Sequence, residues 1–350
     1  MYHPNPIRHL RLITLAVLLA ALGASVPARA DGIAIQNGEK IAFLGDSITA
    51  AGWGSPSGYV RLVIAGLGTN GVQAVPVPAG ISGHTSKDML ARIDRDVLSK
   101  KPDWMTLSCG VNDVWHGVNG VALDQYKINI TSIVDQAQAA HIKVVILTST
   151  MIGEEPDNDN NKKLADYNDF LRSLAKDKAC PLADLNADMQ ADLKAALDPN
   201  APVHLKPGRV LTADGVHMNP HGDEMMASGI LKALGLNDDQ LKKARDQWEQ
   251  IPDGWRLHFE VRTPGKKVLA VQKAVSIGQY GVIEALAAKD NKTVSELLQG
   301  PFDDDVKALL KPTGDYETLD AIFDAHQERD VQSKLQTKFE QRITDLLATK

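Results

Sequence analysis

An α/β fold around a parallel sheet is what this chain predicts, on three observations. From Asp31 to about Ala233, short apolar runs alternate with segments of helical period, the pattern of successive βαβ units. The runs "IAFL", "VQAVPV", "DWMTLSC", "KVVILTST" and "PLADL" supply about five strands, enough for a doubly wound sheet. Only two cysteines, Cys109 and Cys180, occur in 350 residues, so a large core and not a disulfide framework must do the stabilising.

The first thirty residues stand outside that fold. Arg8 and Arg11 precede the apolar run "LITLAVLLAALGA", and Ala28-Arg29-Ala30 has the small-x-small form of a signal-peptidase site. The run is shorter than the roughly 20 apolar residues of a membrane span, so residues 1–30 read as a signal peptide removed before Asp31. Export to the periplasm or beyond is the expectation, without stable membrane insertion after cleavage. Cleavage removes three of the 38 basic residues and none of the 44 acidic ones, which makes the formal charge of −6 more negative still. An acidic exported chain is a poor partner for nucleic acid or an anionic membrane.

Between the strands, three segments carry apolar stripes at helical spacing. Thr85 to Lys100 opens with a Thr85/Asp88 capping box and aligns Met89, Ile93 and Val97. Leu123 to Ala140 aligns Leu123, Tyr126, Ile130 and Val134, and Leu164 to Lys176 aligns Leu164, Tyr167, Leu171 and Leu174. A further helix starts near Pro220 and ends at Gly235, and Asn237 with Gln240 opens another. At Ile251-Pro252-Asp253-Gly254 the composition changes, which divides the chain into a domain over 31–250 and an extension over 251–350. The extension reads as short strands around a Pro264-Gly265 turn, then helix. Its stripe of Leu319, Ile322, Phe323, Val331, Leu335, Phe339, Ile343 and Leu347 is interrupted, which favours packing within its own domain over a coiled coil.

Chemistry centres on "IAFLGDSITAAGW", where a strand breaks into Gly45-Asp46-Ser47. A serine hydroxyl needs a base to take its proton, a partner to orient the base, and hydrogen-bond donors for the oxyanion. Ser47 sits at the C-terminal edge of the first strand, where open α/β sheets bind ligands. Thr49 replaces the second glycine of a G-x-S-x-G elbow, so an ordinary α/β-hydrolase is disfavoured. In "LTADGVHMNPHG", Asp214 stands three residues before His217, a spacing that lets one turn bring the carboxylate onto the ring nitrogen facing away from the serine. His204 and His221 lack an acidic residue at that spacing. Gly83, in "PAGISGHTS", offers a backbone N–H, and Asn112, in "SCGVNDVWHG", a side-chain amide, each at a strand end.

The four blocks Gly45-Asp46-Ser47-Ile48, Ile81-Ser82-Gly83-His84-Thr85-Ser86, Gly110-Val111-Asn112-Asp113 and Asp214-Gly215-Val216-His217 resemble, in order and spread, those of the SGNH hydrolases, the GDSL esterase/lipase family. The resemblance covers roughly Gly38 to Leu234. It implies a flavodoxin-like three-layer α/β/α sandwich with a mostly helical C-terminal extension added. It also implies Ser47 as nucleophile, His217 as base and Asp214 as its partner, with the Ser47 N–H, the Gly83 N–H and Asn112 as oxyanion donors. Ile48 replaces the usual leucine of the first block. Nothing in the family domain corresponds to the last hundred residues.

Trp53, Trp115 and His116 follow these blocks directly and are expected near the mouth of the site, either to hold substrate or to pack the loops. "EEPDNDNN" lacks the central glycine and terminal glutamate of an EF-hand and reads as a solvated loop, and no histidine or cysteine spacing suggests zinc. The sequon at Asn129 falls in a helix stripe and reads as fortuitous, while that at Asn291 matters only in a glycosylating cell. Cys109 and Cys180 end and begin strands with another between them, too far apart to pair. The expectation is thus an exported, cofactor-independent serine esterase active from neutral to mildly alkaline pH, acting on acetyl esters of soluble or polysaccharide alcohols. Lysophospholipase, thioesterase-like or acyltransferase activity is the alternative within the class, and a binding role for the C-terminal region the alternative outside it.

Overall fold

The computed structural model describes residues 32–198, 209–262, 268–298 and 325–349. The expected signal peptide, His204, the Pro264-Gly265 turn and the residues Leu319, Ile322 and Phe323 lie outside them. Strands β1 (Lys40–Gly45), β2 (Val75–Gly80), β3 (Trp104–Ser108), β4 (Lys143–Leu147) and β5 (Leu182–Ala183) form one sheet in the order β2-β1-β3-β4-β5. Every pairing in it is parallel. The chain moves outward from β1 to β2, then returns to place β3 on the other side of β1. That reversal opens a crevice at the carboxyl ends of β1 and β3, where such sheets bind ligands.

Each strand follows from its residues. β1 is buried from Ile41 to Gly45 and β3 along its whole length, as near-continuous apolar runs in a covered parallel sheet should be. β2 begins at Val75, later than "VQAVPV" suggested, and contains Pro76 and Pro78. Val75 N–H donates to Glu39 O at 2.9 Å, and alternation turns the two proline nitrogens away from β1. Prolines without a donor are tolerated there because β2 is an edge strand.

Helices α1 (Ser47–Gly54), α2 (Tyr59–Thr69), α3 (Ser86–Asp96), α4 (Val111–Trp115), α5 (Leu123–Ala139), α6 (Asp159–Asp177), α7 (Leu185–Ala196), α8 (Pro220–Ala233) and α9 (Asp238–Trp248) complete the unit. α2 packs with α8 and α9 on one face of the sheet, while α5 packs with α3 and α6 on the other. The stripes read from sequence are core: Met89, Ile93, Tyr126, Ile130, Val134, Leu164, Tyr167 and Leu171 are all buried. Asn129 is buried too, with its amide donating to Ser86 Oγ at 3.1 Å, so that sequon is a structural asparagine. Cys109 is buried and Cys180 half-buried, both as free thiols.

Past residue 254 a second apolar cluster begins. β6 (Trp255–Arg262) and β7 (Val268–Val275) pair antiparallel, followed by α10 (Ile277–Lys289) and α11 (Ala325–Ala348). Leu335, Phe339 and Ile343 of α11 bury against Leu257, Phe259, Val271 and Ile283, so this part of the stripe packs on its own module. Gln336 Nε2 donates to Gln272 O at 2.7 Å, fixing α11 on β7. The module is joined to the sheet unit by Ile277, which belongs to the first core, and by the Ser57 hydroxyl donating to Gly254 O.

Candidate active site

Ser47 is the first residue of α1, one residue after β1. Asp46 caps that helix: its carboxylate accepts from Ile48 N–H at 2.9 Å. Gly45 cannot carry a side chain here, because a Cβ would lie 1.9 Å from Thr49 Oγ1. Thr49 itself is buried and its hydroxyl meets the Tyr59 hydroxyl at 2.7 Å, which accounts for the residue that stands where an elbow glycine would be.

The base comes from the segment before α8. His217 Nε2 lies 2.9 Å from Ser47 Oγ, and His217 Nδ1 lies 2.7 Å from Asp214 Oδ2. Asp214 Oδ1 also accepts the N–H groups of Val216 at 3.0 Å and His217 at 2.8 Å. Burial works to raise the Asp214 carboxyl, but these hydrogen bonds outweigh it and hold the group below the usual carboxylate range. An ionised Asp214 keeps the proton on Nδ1 and turns the Nε2 lone pair toward the serine hydroxyl. His221, the competitor within the described residues, is instead paired with Glu284 at 3.0 Å.

The loop carrying His217 is tied down by a residue the sequence did not reveal. The Glu154 carboxylate accepts the backbone N–H groups of Val210 (2.7 Å), Leu211 (2.8 Å) and Thr212 (2.8 Å), and the Thr212 hydroxyl at 2.8 Å. Glu154 is thus the exception in "EEPDNDNN", whose residues Glu155 to Asp157 are exposed as a solvated loop should be. Its other half starts α6 early, with the Asn158 side chain capping Asn161 N–H.

Asn112 lies in the first turn of α4, and its amide donates to His84 O at 3.0 Å and to Asp46 Oδ2 at 3.4 Å. Gly83 has φ of 77°, a left-handed conformation that favours glycine although space around it is open. Next to Asn112, Asp113 is wholly buried and accepts from Ser86 N–H at 3.0 Å and from the Ser86 hydroxyl at 2.5 Å. Arg92, also buried, donates to Gly45 O and Ala79 O at 2.8 Å each and to His84 Nδ1 at 3.0 Å, joining the ends of β1 and β2. Burial pushes Asp46 up to about 6 and raises Asp113, each against the pull of its N–H donors.

Of the three mouth residues, Trp53 is half-buried against the core, its ring beneath the Arg61 guanidinium at 4.4 Å. Trp115, the last residue of α4, is 47% exposed, and His116, which caps that helix, is exposed. Asp46 and Asp113 stood inside the quoted motifs, where their residue type was a signal. Arg92 and Glu154 bind backbone groups far along the chain and left none.

A family model described as GDSL-like lipase/acylhydrolase matches residues 43–225, which spans the serine, the asparagine and the Asp214–His217 pair. The chain belongs to that family. An acetylxylan esterase of Geobacillus stearothermophilus is 29% identical to this GDSL-like chain over 226 residues, 58% of this chain and 96% of that protein. A lipoprotein of Bacillus subtilis, YqeF, is 26% identical over 43% of this chain and 70% of its own length. Among solved structures, that of Axe2, an acetylxylan esterase from Geobacillus stearothermophilus, superposes with a TM-score of 0.51 at 27% identity. It covers 59% of this chain and 98% of that one. As a member of the GDSL-like family with these relatives, the chain is a carboxylic ester hydrolase. The matched family segment ends before the β6–β7 module.

Proposed function

We propose that this hydrolase is an exported serine esterase that removes acetyl and other short acyl groups from carbohydrate alcohols through an acyl-enzyme. The observation that carries the reading is the unbroken chain from Ser47 Oγ to His217 (2.9 Å) to Asp214 (2.7 Å) at the carboxyl edge of the sheet. Ser47 Oγ bonds to the ester carbonyl carbon as its proton passes to His217 Nε2. The carbonyl oxygen takes up charge facing the Ser47 N–H, the Gly83 N–H and Asn112, three neutral donors from three strand ends. Collapse breaks the bond to the alcohol oxygen, which takes the proton from His217. Water repeats the sequence on the acyl-serine and releases the carboxylic acid.

The acetyl preference is supported by the acetylxylan esterases among the relatives. Export is supported by Ala28-Arg29-Ala30 and by a lipoprotein among the relatives, while no helix among the described residues is long and apolar enough to cross a membrane. The test is mature protein and its Ser47→Ala variant on nitrophenyl esters of increasing acyl length. Wild type should turn over the acetate best, and the variant should lose roughly 10³-fold or more in kcat. Equal rates would overturn the mechanism, and kcat/KM rising with acyl length would shift the substrate to lysophospholipid or thioester.

A further inference from the structure

The C-terminal module, which the family segment does not reach, closes one wall of a cleft of about 830 Å³ against the sheet unit. On the sheet-unit side the wall includes Ala51, Arg209, Thr212, Ala213 and Met218. On the other it includes Asp253, Trp255, Arg256, His258 and Tyr280. The cleft opens beside the reacting centre and is lined by chain neighbours of Ser47, Asp214 and His217, not by those three residues themselves. Ala51 is one helical turn beyond Ser47 and shares its face of α1, while Ala213 precedes Asp214 and Met218 follows His217.

The module wall is fixed. Trp255 and Tyr280 stack with centroids 3.3 Å apart at an interplanar angle of 3°, and His221 of α8 stands edge-on to both at 4.9 and 5.8 Å. The His221–Glu284 pair at 3.0 Å then clamps α10 to α8, the helix that begins just after the catalytic loop. Burial works to lower the His221 imidazole, yet its Glu284 partner more than offsets this and raises it, which favours the charged pair.

Resting on the carbohydrate-ester reading, we propose that this cleft holds the glycan chain whose acetyl group is presented to Ser47, so that the module is a specificity element of the same site. A volume of about 830 Å³ is far more than an acetyl group needs, and lies in the range of clefts that bury most of a sizeable ligand. The chemistry of the walls selects the class. Arg209 and Arg256 against Asp253 present both signs of charge beside an aromatic stack. Arg256 already donates to Gln272 Oε1 at 3.3 Å and Asp253 is exposed, so these groups stay solvated and suit a hydroxylated ligand better than an acyl or lipid chain. A neutral polyol satisfies both kinds of wall, with hydroxyls on the charged groups and C–H faces against the rings.

The measurement is kcat/KM of the full-length enzyme on a long acetylated xylo-oligosaccharide divided by that on acetylated xylose. Arg256 and His258 are exposed on β6, so Arg256→Ala/His258→Ala should fold, and Trp255→Ala is made beside it with a thermal melt. The ratio should exceed one in wild type and fall roughly tenfold in the double variant, chiefly through KM, as expected for losing one or two hydrogen bonds from charged groups. Ser47→Ala protein should bind the long oligosaccharide by calorimetry, and the triple variant should bind it roughly tenfold more weakly. A ratio unchanged by the double variant, or equal binding by Ser47→Ala with and without it, overturns the proposal whether or not Trp255→Ala folds. Wild type that cleaves nitrophenyl acetate but shows no chain-length gain also overturns it, and leaves the serine esterase intact. Failure on nitrophenyl acetate itself would instead sink the parent reading.

Discussion

Ser47 follows a strand buried from Ile41 to Gly45, whereas Asp214 and His217 beside it have side chains 52% and 34% exposed on a loop. On the serine side, position comes from burial. Asp46, Asn112, Asp113, Ser86 and Arg92 are all buried, and their hydrogen bonds knit three strand ends together. On the base side, the burial of Val210, Leu211 and Val216 is joined by hydrogen bonds, chiefly the Glu154 carboxylate on three successive N–H groups. In the proposed mechanism the nucleophile is held against the sheet whose strand ends would also supply the oxyanion donors, while the base works from a partly solvated loop.

The comparison can be broken first at Asp214. Asp214→Asn should cut kcat by roughly 10²–10³-fold, less than for a fully buried triad acid because water reaches this carboxylate and substitutes in part. Steady-state kinetics on nitrophenyl acetate decides it, and an unaltered kcat would remove Asp214 from the mechanism.

On the serine side the sharper probe is stability against pH. The folded protein holds the Asp46 proton up to about 6, more tightly than the unfolded chain does, so ionising Asp46 destabilises the fold progressively as pH rises from about 4 through about 6. Asp46→Asn keeps an acceptor for Ile48 N–H and removes that charge. Relative to wild type, the variant should therefore gain about 3 kcal/mol between pH 4 and pH 7 in urea unfolding. A difference that does not vary with pH would show that Asp46 is ionised at no cost.

The smallest effect is expected at Glu154. Glu154→Ala should lower kcat roughly 10–100-fold through misplacement of His217, with KM and the melting temperature moving little, because the loop contributes less to the core than the strands do. Glu154→Gln, which can still accept from part of the set, should fall between. A large stability loss with normal kcat in the surviving fold would mean that Glu154 serves the core and not the base.

How far the sequence could be read follows the range of each interaction. The β1 run, the α3, α5 and α6 stripes and the Asn237/Gln240 capping box were legible because period and cap chemistry are local. The Asp214–His217 pair was legible for the same reason, both atoms sitting within one turn. The C-terminal stripe read correctly as packing within its module where Leu335, Phe339 and Ile343 meet β6 and β7. Arg92 on Gly45 O spans 47 residues and Glu154 on Val210 N–H spans 56. Their partners are main-chain groups that every residue type possesses, so no pattern of side chains could announce them.

The sequence by itself determined the fold class, the serine at a strand end and the pairing of Asp214 with His217, because hydrophobic period, turn chemistry and short spacings are written in neighbouring residues. Only the tertiary structure decided that His217 lies 2.9 Å from Ser47, that Arg92 and Glu154 hold the two sides, and that Trp255 and Tyr280 form a wall beside them. Those contacts join residues tens to well over a hundred positions apart, and the folded sheet with its helices in place is what brings them together.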